Sequence, residues 1–120
     1  MTTSLVEHYG GFAKISRVVS EFYDRMLDSP NLAGYFENTN MRRLVDHQTK
    51  FIASLMGGPA EYSDEALERA HARLNIDQAS FDEMVSLLAE TLEDFEFDDT
   101  HIKTLAAEMK SRSKFIITRQ

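Results

Sequence analysis

Apolar residues return every three or four positions along almost the whole chain. Nowhere do they alternate as a half-buried strand requires. That one periodicity restricts the 120 residues to a helical fold. In "FAKISRVVSEFYDRML" the stripe is Ile15, Val18, Val19, Phe22 and Met26, and Ser29-Pro30 ends the helix. "NLAGYFE" has room for one short helical turn. Thr39 or Asn40 then offers a cap to a helix carrying Leu44, Gln48, Phe51, Ile52 and Leu55. Gly57, Gly58 and Pro59 break that helix. Ser63, followed by Asp64 and Glu65, opens the next one, with Leu67, Ala70, His71 and Leu74. Asp77, or Ser80 with Glu83 as a capping box, starts a stripe of Phe81, Met84, Val85, Leu88 and Leu92. A final helix carries Ile102, Leu105, Ala106, Met109 and Ile116. The expected class is all-α, as a single domain over residues 1–120.

Composition removes several function classes. The absence of cysteine rules out a disulfide framework, a thiolate metal site and a cysteine nucleophile. It also fits a reducing compartment, and the expected location is cytoplasmic. Thirteen basic against twenty acidic residues give a net charge of −7, a poor match to a polyphosphate backbone, so no nucleic-acid partner is expected. No apolar run approaches the ~20 residues of a membrane span. The acids between Asp82 and Asp99 and the basic end "KSRSKFIITR" read as solvated helix faces that attract each other, with a partner-binding tail as the alternative. No nucleophile elbow, Walker loop, dinucleotide fingerprint or HExxH motif is present.

The informative residues are polar ones on apolar stripes. At about 100° per residue, Gln48 falls within about 40° of Leu44, in the middle of its stripe, and His47 lies at the edge. His71 is equally central on the stripe that runs from Leu67 to Leu74, and Tyr23 flanks Val19 and Phe22. Burying an unpartnered amide or imidazole costs roughly 1–3 kcal/mol. Alone, a histidine on an apolar face is ordinarily a core group bonded to a backbone carbonyl, and a tyrosine at a stripe edge ordinarily keeps its hydroxyl wet; a buried glutamine is rarer. Together, on three helices, they argue for a shared polar object in an apolar cavity. His8 and His101, near helix starts, read as surface residues.

The order of motifs adds to this. "HYGG", "FYDRMLDSPNLAGYF", "NMRRLVDHQTKFIASLMGGPAEY" and "ALERAHARLNI" resemble the group I truncated haemoglobins, from about Leu5 to Phe115. The resemblance implies a two-over-two globin fold around haem b. It makes His71 the proximal iron ligand, and Tyr23 and Gln48 the groups that hydrogen-bond a diatomic gas (O2, NO or CO). It makes Phe36, Leu44, Phe51, Ile52, Leu67 and Met84 pocket residues. Ile52 falls where some members carry a tunnel-gating aromatic, so that gate is in question. His47 matches a position that reaches a haem propionate in many members and coordinates the iron as a sixth ligand in some cyanobacterial ones. The expectation is a bis-histidine resting haem, His47 and His71. Those members also bond a late histidine to the haem. The last helix here offers Lys114 and its neighbours instead, so no such cross-link is expected. The function expected is reversible gas binding. The alternative is nitric oxide dioxygenation or related detoxification, which would need a separate electron-donating reductase. A haem-free helical interaction module is the third reading.

Overall fold

The structure is a computed structural model that describes residues 5–56, 68–69, 71–72 and 74–117. Among these every regular element is helical: α1 (Leu5–His8), α2 (Gly11–Leu27), a 3-10 turn (Ala33–Phe36), α3 (Met41–Leu55), α4 (Gln78–Asp94), α5 (Asp99–Ser111) and α6 (Ser113–Ile116). Glu68, Arg69 and His71 are also helical. The Gly57-Gly58-Pro59 break, the Ser63 cap with Asp64 and Glu65, and the stripe residues Leu67 and Ala70 lie outside the described residues.

The α2 stripe is buried as its period predicts: Ile15, Val18 and Val19 are 1 % exposed and Tyr23 is 8 %. Valine and isoleucine are modest helix formers, at a few tenths of a kcal/mol each. Burying such a side chain returns about 1.5–3 kcal/mol, so packing decides. Gly10 and Gly11 turn α1 into α2 with φ of 98° and 80°. A Cβ on Gly10 would also press within 3.1 Å of the Lys14 Cβ. That left-handed pair needs glycine.

Caps follow the sequence closely. Asn40, not Thr39, accepts the Arg43 backbone N–H at 3.2 Å to open α3. Asp77 accepts the Ser80 N–H at 2.8 Å to open α4. Ser80 and Glu83 therefore do not form the alternative capping box. The far end of α4 is a Schellman closure. The Phe97 N–H reaches the Leu92 carbonyl at 3.0 Å and the Glu96 N–H reaches Glu93 at 2.9 Å, with Glu96 left-handed at φ 66°.

Packing joins α2 to both α3 and α4, α4 to α5, and α1 to α2. Arg25 bridges α2 to α4 through Asp94 at 2.7 Å. The expected long final helix is interrupted. The Arg112 guanidinium folds back onto the Glu108 carbonyl at 2.9 Å, and the Arg112 N–H bonds Met109 instead. The helical ladder loses its register there, and α6 starts afresh at Ser113. Arg112 also pairs with the Glu108 carboxylate at 2.7 Å, within its own helix rather than across to the acidic stretch.

His8, at the end of α1, is exposed as expected. His101 needs correction. His101 is only partly exposed and belongs to an aromatic cluster. Tyr9 stacks on Phe97, with centroids 3.8 Å apart and planes 4° apart, and stands edge-on to His101 at 5.5 Å. The Tyr9 hydroxyl accepts the Asp98 N–H at 3.1 Å and bonds His101 Nδ1 at 2.5 Å. This cluster pins α1 to the α4–α5 corner.

Candidate functional site

The core is not closed where α2, the 3-10 turn, α3, α4 and the His71 segment meet. A cavity of about 280 Å³ lies there. Tyr23, His47, Gln48 and His71, the four polar residues singled out by helical spacing, all line it. Helix α2 contributes Tyr23 from the interior end of its stripe, and α3 contributes His47 and Gln48 on consecutive positions. His71 comes from the third segment, and its carbonyl accepts the Leu74 N–H at 3.1 Å.

Their burial differs from the idealised wheel. Tyr23 is buried, although a residue at a stripe edge ordinarily keeps its hydroxyl wet. Gln48, central on its stripe, is only half-buried, and His47 is exposed. The cavity explains both. A stripe that faces an opening is apolar on its flanks and accessible at its centre.

Tyr23 is held by aromatic neighbours. Its ring meets Phe36 edge-on, with centroids 5.6 Å apart and planes at 89°, and Phe22 lies tilted beside it at 5.2 Å. Burial pushes its phenol well above the ordinary range, so the hydroxyl keeps its proton further into alkaline pH than a free tyrosine does.

Of the expected pocket residues, Phe36, Leu44, Phe51 and Met84 line the cavity. Ile52 does not; it is buried in the core at 6 % exposure. Leu67 lies outside the described residues. Sequence reasoning missed Tyr35 and Ser80, whose hydroxyls are bonded at 3.1 Å on the cavity wall. It also assigned Met26 to the core alone, though it lines the cavity one helical turn after Tyr23. Spacing carried that last signal; nothing in the short turn around Tyr35 did.

Chemically the site is a mostly apolar slot with two imidazoles, two phenols, a carboxamide and the Thr39 and Ser80 hydroxyls on its walls. A neutral imidazole nitrogen is a standard axial ligand for haem iron, and the apolar lining suits a porphyrin. The donor set therefore fits a haem. Among the described residues no cluster of three or more His, Asp or Glu side chains competes as a bare-metal site.

Comparison with known proteins agrees with this geometry. A family model described as bacterial-like globin matches residues 4–117. A group 1 truncated hemoglobin of Tetrahymena thermophila is 32% identical over 96 residues, covering 80% of this chain and 79% of that protein. One from Mycolicibacterium paratuberculosis is 34% identical over 89 residues, covering 74% of this chain and 65% of that protein. The crystal structure of truncated hemoglobin from Tetrahymena pyriformis in its Fe(III) form superposes with a TM-score of 0.85 at 28% identity, over 96% of this chain and 98% of that one.

Proposed function

Because this chain belongs to the group 1 truncated haemoglobins, haem globins for diatomic gases, we propose that it holds haem b through His71 and binds O2, NO or CO reversibly beside Tyr23 and Gln48. The observation that carries this reading is the convergence of Tyr23, His47, Gln48 and His71 on one mostly apolar cavity. When bound, the haem supplies an iron with a position for the gas.

The protein's own groups do the rest. The His71 imidazole would hold the iron. The Tyr23 hydroxyl, protonated at neutral pH like any phenol, would donate to a gas that draws negative charge onto itself. In a pocket of low dielectric that bond is stronger than in water. The Gln48 amide can donate to the gas and accept from Tyr23. Phe36, Leu44, Phe51 and Met84 would give the porphyrin apolar walls; Leu67, outside the described residues, is assigned to the same set by the family resemblance alone. Ile52 supports them from the core.

His47 would be the second histidine to hold the iron in the resting state, a reading supported by its place on the cavity wall with His71. Apparent gas affinity would then fall by the competent fraction. The test is spectroscopic. Low-spin ferric absorption and EPR spectra should turn high-spin in His47→Ala. A high-spin spectrum in the unaltered protein at neutral pH would remove the bis-histidine state. His71→Ala should abolish stable haem uptake.

Conversion of nitric oxide to nitrate would leave the iron ferric. Turnover would then require an electron from a reductase. Nitrate yield and the rate of re-reduction after mixing the oxygenated protein with nitric oxide would separate this activity from simple carriage. The cysteine-free, acidic composition suits the cytoplasm, where we expect the protein to work.

A further inference from the structure

The connection between α2 and α3 has little regular structure, yet it supplies Leu32, Tyr35 and Phe36 to the cavity wall. The first turns of α4 hold it in place. The Tyr35 hydroxyl donates to Ser80 Oγ at 3.1 Å. Ser29 Oγ donates to one oxygen of the Glu83 carboxylate, and Asn31 Nδ2 donates to the other at 3.2 Å. Ser80 is fixed in turn. It is 8 % exposed, and its backbone N–H is bonded to the Asp77 cap at 2.8 Å.

One residue beyond Tyr35, the Phe36 ring stands edge-on to Tyr23. A continuous contact path thus runs from Ser80 through Tyr35 and Phe36 to the Tyr23 ring. We propose that Tyr35 and Ser80 are positioning residues for Tyr23. Their hydrogen bond sets the seat of the 3-10 turn on α4. The seat fixes the edge of Phe36 against which Tyr23 rests, and so fixes where the Tyr23 hydroxyl points. The inference rests on reading Tyr23 as the donor to bound gas. A donor must be held within about 0.5 Å of its productive position to act fully, and support from behind is what supplies that precision. Losing the Tyr35 hydroxyl removes one tie and leaves the Ser29–Glu83–Asn31 tie in place, so the turn loosens without unfolding.

The experiment uses Tyr35→Phe, Ser80→Ala and their combination, each also made on a Tyr23→Phe background. Soret absorbance checks haem uptake. The readouts are the oxygen release rate, the C–O stretching band of the carbon monoxide complex, and amide exchange at residues 32–36 in the haem-free protein. Each single variant should take up haem and release oxygen roughly two- to tenfold faster, part of one hydrogen bond. The C–O band should move toward that of Tyr23→Phe. The combined variant should be no worse than either single one, because both remove the same bond. Exchange at Tyr35 and Phe36 should quicken. On the Tyr23→Phe background neither substitution should change release further.

Faster exchange with unchanged release and an unchanged C–O band makes the pair merely structural and overturns the proposal. So does an effect that persists without the Tyr23 hydroxyl. A Tyr23→Phe protein that loads haem but releases oxygen at the unaltered rate sinks the donor reading, and the relay with it. Silent Tyr35 and Ser80 variants beside an effective Tyr23→Phe sink the relay alone.

Discussion

Tyr23 and Phe36 meet edge to face, 5.6 Å apart, across the junction of α2 with the 3-10 turn. The contact leaves the Tyr23 hydroxyl as the only part of that side chain with a polar role. Tyr23→Phe keeps the ring and its packing and deletes the donor. Oxygen release should accelerate roughly ten- to hundredfold, the loss of a hydrogen bond of about 1.5–3 kcal/mol to a charged acceptor. Stopped-flow displacement by carbon monoxide measures it.

The same burial makes a stability prediction at high pH. The Tyr23 phenol titrates above its ordinary value in the folded protein because ionisation there lacks water. The folded state therefore holds its proton where the unfolded chain has released it. This contribution is fully present below the unfolded value of about 10 and is lost as pH rises from there toward the folded value. Urea midpoints measured on the haem-free protein should fall through that alkaline window. Tyr23→Phe should flatten the fall.

Tyr9 anchors the N-terminal helix through its ring and its hydroxyl. Tyr9→Phe keeps the stack on Phe97 but leaves the Asp98 N–H and the His101 ring without that partner. Stability should drop by about 1 kcal/mol. Amide exchange should quicken first at Tyr9 and Asp98, and a uniform change across the chain would contradict a local pin.

Glu96 occupies the left-handed position that closes α4, where glycine is the usual residue. Glu96→Gly should stabilise the protein by about 0.5–1 kcal/mol, relief of side-chain strain outweighing the added freedom of the unfolded chain. It also removes one charge from an acidic stretch. Chemical denaturation tests it, with the expected rise in midpoint and no change in slope.

The sequence discloses its helices because burial imposes a period, and the stripes of α2 and α4 sit where that period puts them. It discloses Tyr23, Gln48 and His71 because a polar residue on an apolar stripe demands a partner. It conceals Tyr35 and Ser80, whose bond joins positions 45 residues apart and follows no repeat. The interruption at Arg112 is hidden for a related reason. It depends on a side chain capturing a backbone carbonyl, and the apolar pattern continues through it undisturbed. His101 looks like a surface residue until Tyr9 is brought alongside from the other end of the chain.

The void between α2, α3 and α4 has a consequence for the life of the polypeptide. A haem seated there would give its walls the dispersion contacts that a buried side chain gives its neighbours, and so would complete the core. A ligand that prefers the folded state raises stability in proportion to its free concentration and affinity. Newly made chains that outnumber the available porphyrin should be the ones that proteases clear, and cellular levels of the globin should rise and fall with tetrapyrrole supply.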